Sequence, residues 1–159
     1  MIHAFKYDGR RSLGALLAEW MREVGADWLL ETDAVVPVPL HPLRRWKRGF
    51  NQAADLAAGL GPPMMHALRR ARRTRPQVEL SRDVRLRGLR SAFTLARRTA
   101  GQSTRAAIRN RSILVVDDVI TTGATVDACA ETLREAGAGR VRALSVAQAV
   151  ARGRPPDPR

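Results

Sequence analysis

Residues 113–125 read Ile-Leu-Val-Val-Asp-Asp-Val-Ile-Thr-Thr-Gly-Ala-Thr, and no other stretch constrains this chain so tightly. The β-branched, apolar opening is the pattern of a strand buried on both faces, as in a parallel sheet. Asp117 and Asp118 stand where that strand is expected to end. The turn Thr121, Thr122, Gly123, Ala124, Thr125 then leads into a helical pattern that starts at Val126. In open α/β sheets, ligands bind at the carboxyl ends of strands, beside helix N-termini. Carboxylates in that position suit sugar hydroxyls. Backbone N–H groups, Thr hydroxyls and a helix start suit a phosphate. Gly123 allows a close backbone approach or a positive φ.

The rest of the chain supplies partners for such a strand. Residues 1–7 alternate weakly and read as a short edge strand. Ser12 caps a helix over 12–24 with Leu13, Leu16, Leu17, Trp20 and Met21 on one face, ended by Gly25. Residues 33–38 form a second buried strand that Pro37 and Pro39 interrupt. A helix over 51–60 carries Ala53, Leu56, Ala57 and Leu60 at helical spacing, and Gly61-Pro62-Pro63 stops it. Short strands are expected at 64–68 and 91–95, a helix over 126–136, and a last strand over 140–149. Residues 69–98 lose periodicity and carry eleven Arg against Glu79 and Asp83. A loop this long in a compact domain is a functional lid or disordered. Residues 151–159 are a tail without core-forming residues.

Composition narrows the class. A chain of 159 residues with 45% hydrophobic content fits one globular domain, assigned here to residues 1–150. Neither a membrane-spanning run nor a secretory signal stands out, which makes the cytoplasm the default compartment. The one cysteine, Cys129, rules out an internal disulfide and reads as a small buried residue. His3, His41 and His66 do not share a metal-binding spacing. The net charge of +13 favours polyanionic ligands, although Arg on any solvated face would give the same total.

The thirteen residues resemble the phosphoribosyl diphosphate (PRPP) motif of type I phosphoribosyltransferases: apolar residues, two acids, then Thr-Thr-Gly-x-Thr. Further segments narrow the resemblance. Val-Pro-Val-Pro-Leu-His at 36–41, Arg-Gly-Phe-Asn-Gln at 48–52, then Thr74-Arg75-Pro76-Gln77, Leu80-Ser81, Arg85 and Ala92-Phe93 occur in an order similar to that of the ComF family. That family is phosphoribosyltransferase-like and linked to DNA uptake in competent bacteria. Two departures stand out. Members usually begin with a Cys-rich zinc-binding segment, whereas this sequence starts near Lys6-Tyr7-Asp8-Gly9, where the family's transferase part begins. Gly88 stands where the family usually has Asn.

The resemblance implies an α/β fold of the type I phosphoribosyltransferase kind: three layers, a mostly parallel sheet, and a flexible lid at about 69–98. It implies Mg-dependent transfer of phosphoribosyl to an unidentified acceptor, with release of pyrophosphate. Asp117 and Asp118 would be the catalytic acids, binding the ribose hydroxyls and favouring positive charge on the ring. Thr121, Thr122, Gly123, Ala124 and Thr125 would hold the 5-phosphate. Val38, Pro39, Leu40 and His41 would approach the pyrophosphate, with Arg44, Arg45, Lys47 and Arg48 as nearby cations. The 44–48 cluster reads equally as a solvated basic face. The lid would bring in Arg75, Gln77, Arg82 and Arg85. Mg²⁺ would be held by pyrophosphate and ribose oxygens, with no direct protein ligand. The other reading is a non-catalytic PRPP-binding or nucleic-acid-binding accessory of DNA uptake, with single-stranded DNA, DNA-uptake proteins or further copies of the chain as partners.

Overall fold

The computed structural model describes residues 11–40, 50–70, 92–99 and 101–148. The expected strand at 1–7 and the tail at 151–159 lie outside the described residues. Three parallel strands form the main sheet in the order β1-β6-β7: β1 (Ala34–Pro37), β6 (Ser112–Ile120) and β7 (Arg140–Gln148). Helix α1 (Arg11–Val24) runs into the short α2 (Ala26–Leu30), and α3 (Gln52–Ala58) follows β1. Two small ladders come next: β2 (Leu68–Arg70) pairs antiparallel with β3 (Phe93–Leu95), and β4 (Arg98–Thr99) with β5 (Gln102–Ser103). A one-turn α4 (Thr104–Ile108) leads into β6, and α5 (Ala124–Glu135) connects β6 to β7.

The expected three-layer α/β arrangement follows from the period of two along β6. Ile113 and Val115 belong to a core cluster with Val126, Ala128, Cys129 and Leu133 of α5. Leu114 and Val116 belong to a second cluster with Leu17 and Met21 of α1 and Leu56 and Ala57 of α3. These four β6 residues are 0–1% exposed. At about 1.5–3 kcal/mol per fully buried aliphatic side chain, they contribute a large part of the sheet's stability.

Several expectations change. On α1 the buried stripe is Leu17, Ala18 and Met21, while Leu16 and Trp20 are 38% and 45% exposed. Positions 17, 18 and 21 fall on one helical face, and 16 and 20 fall on its flank. Gly25 ends α1 as expected but also serves as the N-cap of α2, so the chain continues helically instead of entering a loop. Pro37 does not interrupt β1; it is the last strand residue, opposite Val116. Val35 donates away from β6 to the Pro63 carbonyl (2.9 Å), and Val38 donates to the Val116 carbonyl of β6 (2.8 Å). Pro37 shares the parity of Val35, so its missing N–H removes no bond to β6.

The strand expected at 64–68 resolves into one bridge, Met64 to Val35, followed by β2. Both ends of the segment expected as a lid, 69–98, are strand rather than irregular loop. Arg69 and Arg70 belong to β2, with Arg69 opposite Thr94 and Arg70 opposite Phe93. The interior of the expected lid, including Arg75, Gln77, Arg82, Arg85 and Gly88, lies outside the described residues. Among the described residues no helix is long and apolar enough to cross a membrane.

The crossing of α1 and α3 depends on a missing side chain. A Cβ added at Gly59 would sit 2.6 Å from the Ala18 Cβ. Gly59→Ala is therefore expected to destabilise the fold by about 1–3 kcal/mol in urea melts. Adding Ala18→Gly should restore most of that loss. An additive double mutant would disprove the contact.

Candidate ligand site at the carboxyl end of the sheet

β6 outruns β1. The register with β1 stops at Pro37 opposite Val116, while the ladder with β7 continues to Ile120 opposite Gln148. The acids are thus not at the end of their own strand, as expected. Asp117 is the first β6 residue beyond the ladder with β1. Both acids are half-buried. Strand alternation gives Asp117 the parity of Val115, toward α5, and Asp118 the parity of Val116, toward α1 and α3. Each Oδ1 accepts the next residue's N–H: Asp118 N–H to Asp117 at 2.9 Å, and Val119 N–H to Asp118 at 2.8 Å. These bonds restrict both carboxylates to orientations close to the backbone.

The turn after β6 is built around Gly123, whose φ of 79° lies in the left-handed region that side-chain-bearing residues adopt at a cost. Gly123 is the N-cap of α5 and has no side chain to cap it. The Thr122 Oγ1 is 3.5 Å from the Ala124 N–H, too long for a strong bond. The first N–H groups of α5 thus keep the positive end of the helix dipole open to an anion. Thr121 and Thr122 are exposed, while Gly123, Ala124 and Thr125 are half-buried. Asp127 adds one carboxylate to the first turn.

A small depression of about 20 Å³ is lined by Asp117, Val119, Ile120, Thr121, Gly123, Thr125 and Val126. It brings Asp117 together with three of the five turn residues. Asp118, Thr122 and Ala124 do not line it. A larger groove of about 540 Å³, lined by Ser103, Arg105, Arg109 and Glu135 among others, lies at the amino end of the strands, away from the acids.

On the β1 side, Val38 is buried and Pro39 and Leu40 are half-buried. His41, Arg44, Arg45, Lys47 and Arg48 lie outside the described residues. Two residues with no role assigned from sequence enter here. Asn51, at the start of α3, donates from Nδ2 to the Val38 carbonyl (3.2 Å). The sequence places Asn51 only at the opening of a helix, and no local pattern signals a contact back to Val38. Arg70 is half-buried with its guanidinium 5.4 Å above the Phe93 ring. Nothing in its Arg-rich stretch singled it out.

Cys129 reports on the electrostatics behind the site. It is fully buried, and burial pushes its thiol up to about 12; the Asp117 charge adds to the rise and the Arg70 charge opposes it. Asp117 and Arg70 therefore act on the same interior point from opposite sides in sign. Among the described residues there is no group of three or more His, Cys, Asp or Glu that could hold a metal ion.

Comparison with known proteins identifies the family of the chain and agrees with its fold. A family model described as "Phosphoribosyl transferase domain" matches residues 30–158. The chain is 31% identical to "Competence protein F" of Haemophilus influenzae, over 94% of this chain and 67% of that protein. It is 33% identical to "DNA utilization protein YhgH" of Escherichia coli strain K12, over 89% of this chain and 63% of that protein. The chain thus spans about two thirds of the length of these relatives. Among solved structures, glutamine PRPP amidotransferase from B. subtilis superposes with a TM-score of 0.53 at 25% identity, over 84% of this chain and 26% of that one.

The Cys129 thiol should resist alkylation by iodoacetamide at pH 9 in the folded protein and react at an ordinary rate in denaturant. Its protonated fraction at that pH follows from a pKa of about 12. Rapid alkylation of folded protein would show that the α5 side of the core is open.

Proposed function

This chain belongs to the phosphoribosyl transferase domain family, and from that premise we propose that it binds Mg-PRPP at the carboxyl end of β6 and transfers the phosphoribosyl group in the cytoplasm. The observation that carries this reading is the shared depression: Asp117 and the uncapped start of α5 meet in one place. A sugar phosphate needs that pairing, with acceptors for hydroxyls next to donors for a phosphate. Residues 1–150 are taken as the transferase-like unit.

Each group has a task in this reading. Backbone N–H groups and hydroxyls of 121–125 hold the 5-phosphate. Asp117 and Asp118 accept hydrogen bonds from the ribose hydroxyls, and their charge favours the ring as it becomes cationic. Residues 38–41, with Arg44, Arg45, Lys47 and Arg48, face the diphosphate. The lid residues Arg75, Gln77, Arg82 and Arg85 close over it and exclude water. The C1–O bond to diphosphate breaks, with the electron pair leaving on pyrophosphate. A bond from the acceptor's nucleophilic atom to C1 forms, and the acceptor's proton passes to solvent. The described residues offer adjacent carboxylates and no three-ligand cluster. Asp117 and Asp118 would hold Mg²⁺ indirectly, through the ribose hydroxyls that they bind, and the ion would supply neutralisation of charge on the leaving group.

A second reading keeps PRPP binding without turnover, in a protein that handles DNA. The names of the relatives and the net charge of +13 favour it. The two readings differ in pyrophosphate release across a panel of bases and amines, which only the enzyme shows. Single-stranded DNA affinity that falls steeply with salt would support the DNA role, and a flat salt dependence would remove it.

Calorimetry with Mg-PRPP tests the site itself. The double variant Asp117→Asn, Asp118→Asn is expected to lose affinity by about tenfold or more while keeping its melting temperature within a few degrees. Wild-type affinity in that variant would sink the assignment of the acids.

A further inference from the structure

Asn51 occupies the N-cap of α3 but does not act as a cap. A capping Asn ordinarily turns its side-chain oxygen back onto the first N–H groups of its own helix. Here the amide reaches out of the helix, and Nδ2 donates to the Val38 carbonyl at 3.2 Å. Val38 donates its own N–H to the Val116 carbonyl at 2.8 Å. Val116 immediately precedes Asp117. One hydrogen-bonded path therefore runs from the start of α3, through the end of β1, to the strand that carries the acids.

The cost of this arrangement is visible nearby. Asn51 Oδ1 and Gln52 Nε2 are both buried without a hydrogen-bond partner. Gln52 is 1% exposed. Buried side-chain amides are normally satisfied, and an Asn that gives up its cap and keeps an orphaned acceptor is a poor choice for helix stability. A Ser or Asp would cap α3 better. The pair also sits where the chain returns from the segment that follows β1.

We infer that Asn51 is a positioning residue for the diphosphate side of the PRPP site. By holding the Val38 carbonyl it sets the direction in which residues 38–40 leave the sheet. Those residues face the diphosphate, while the 5-phosphate and ribose are held by 117–125. This inference rests on the PRPP reading above and deepens it by dividing the site into two separately supported halves.

That division gives the test. Calorimetry on the full chain uses three probes: Mg-PRPP, Mg-pyrophosphate and ribose 5-phosphate. Asn51→Asp keeps the shape but removes the donor, and Asn51→Ser removes the reach to Val38 while supplying a good cap. Both should bind Mg-PRPP and Mg-pyrophosphate about tenfold or more weakly and ribose 5-phosphate within about twofold of wild type. The Ser variant should melt no lower than wild type, so its loss cannot be put down to misfolding. Equal losses for all three probes, or unchanged Mg-PRPP binding in the Ser variant, would overturn the inference and leave Asn51 with a purely structural role. If the wild-type chain binds none of the probes, the PRPP reading itself fails, and the inference fails with it. If wild type binds PRPP and the Asp117, Asp118 variant does not, while Asn51→Ser matches wild type, the inference alone falls.

Discussion

A strand that is apolar on both faces cannot lie at the edge or on the surface of a water-soluble sheet, and β6 is such a strand. Ile113, Leu114, Val115 and Val116 are buried to within 1% of complete. Their burial requires a strand on each side and a helix on each face, and β1, β7, α5 and the α1–α3 pair meet those four requirements. The register is pinned at the amino end, where Asp33 makes a two-point contact with Ser112. Its carboxylate accepts the Ser112 N–H (2.8 Å) and its N–H donates to the Ser112 carbonyl (2.9 Å). A one-residue slip would exchange the residues that fill the two cores and draw Asp117 or Ser112 into a position buried on both faces. With the register fixed, the first polar side chains along β6 after that run are Asp117 and Asp118, at the point where β1 ends. The position of the candidate site thus follows from core packing before any ligand is considered.

The parts of the fold that were legible in the sequence are those where one period dominates. The apolar run of β6 has no competing explanation, and α3 places Ala53, Leu56 and Ala57 in the core as its spacing demands, with Leu60 buried just beyond its end. The errors arise where burial is partial. Leu16 and Trp20 look like core residues by type, yet a helix packed on one side buries a stripe too narrow to include them. Trp28 is another exposed aromatic, and its ring is partly covered by Arg142 at 5.6 Å, which Glu31 also holds at 2.6 Å. Such a polar clasp between α2 and β7 has no local sequence signature. β3 falls within the strand expected at 91–95, whereas the β4–β5 ladder is silent, since it joins two-residue segments of Arg, Thr, Gln and Ser. At the site, the turn was legible because Gly123 and its Thr neighbours serve no packing purpose. Asn51 was not, because its bond to the Val38 carbonyl joins residues thirteen apart and leaves no local pattern.

The two ends of α5 are met in different ways. At its C-terminus, Arg105 donates from Nη1 to the Glu135 carbonyl (3.2 Å), and Arg134 lies in the last turn. Cations there satisfy the negative end of the helix dipole. At its N-terminus no side-chain hydroxyl or carboxylate caps the first amides closely, and the cap position is held by a glycine with positive φ. A helix stabilised at one end and left open at the other is oriented for a ligand rather than for its own stability. Net charge alone would attract an anion anywhere on this surface. In the PRPP reading proposed above, backbone amides at one turn, next to a carboxylate that repels free phosphate but accepts a hydroxyl, would select a sugar phosphate over a simple anion. That selectivity depends on Asp117 and the turn keeping a fixed separation, and both are carried by one continuous segment of backbone anchored in the two cores.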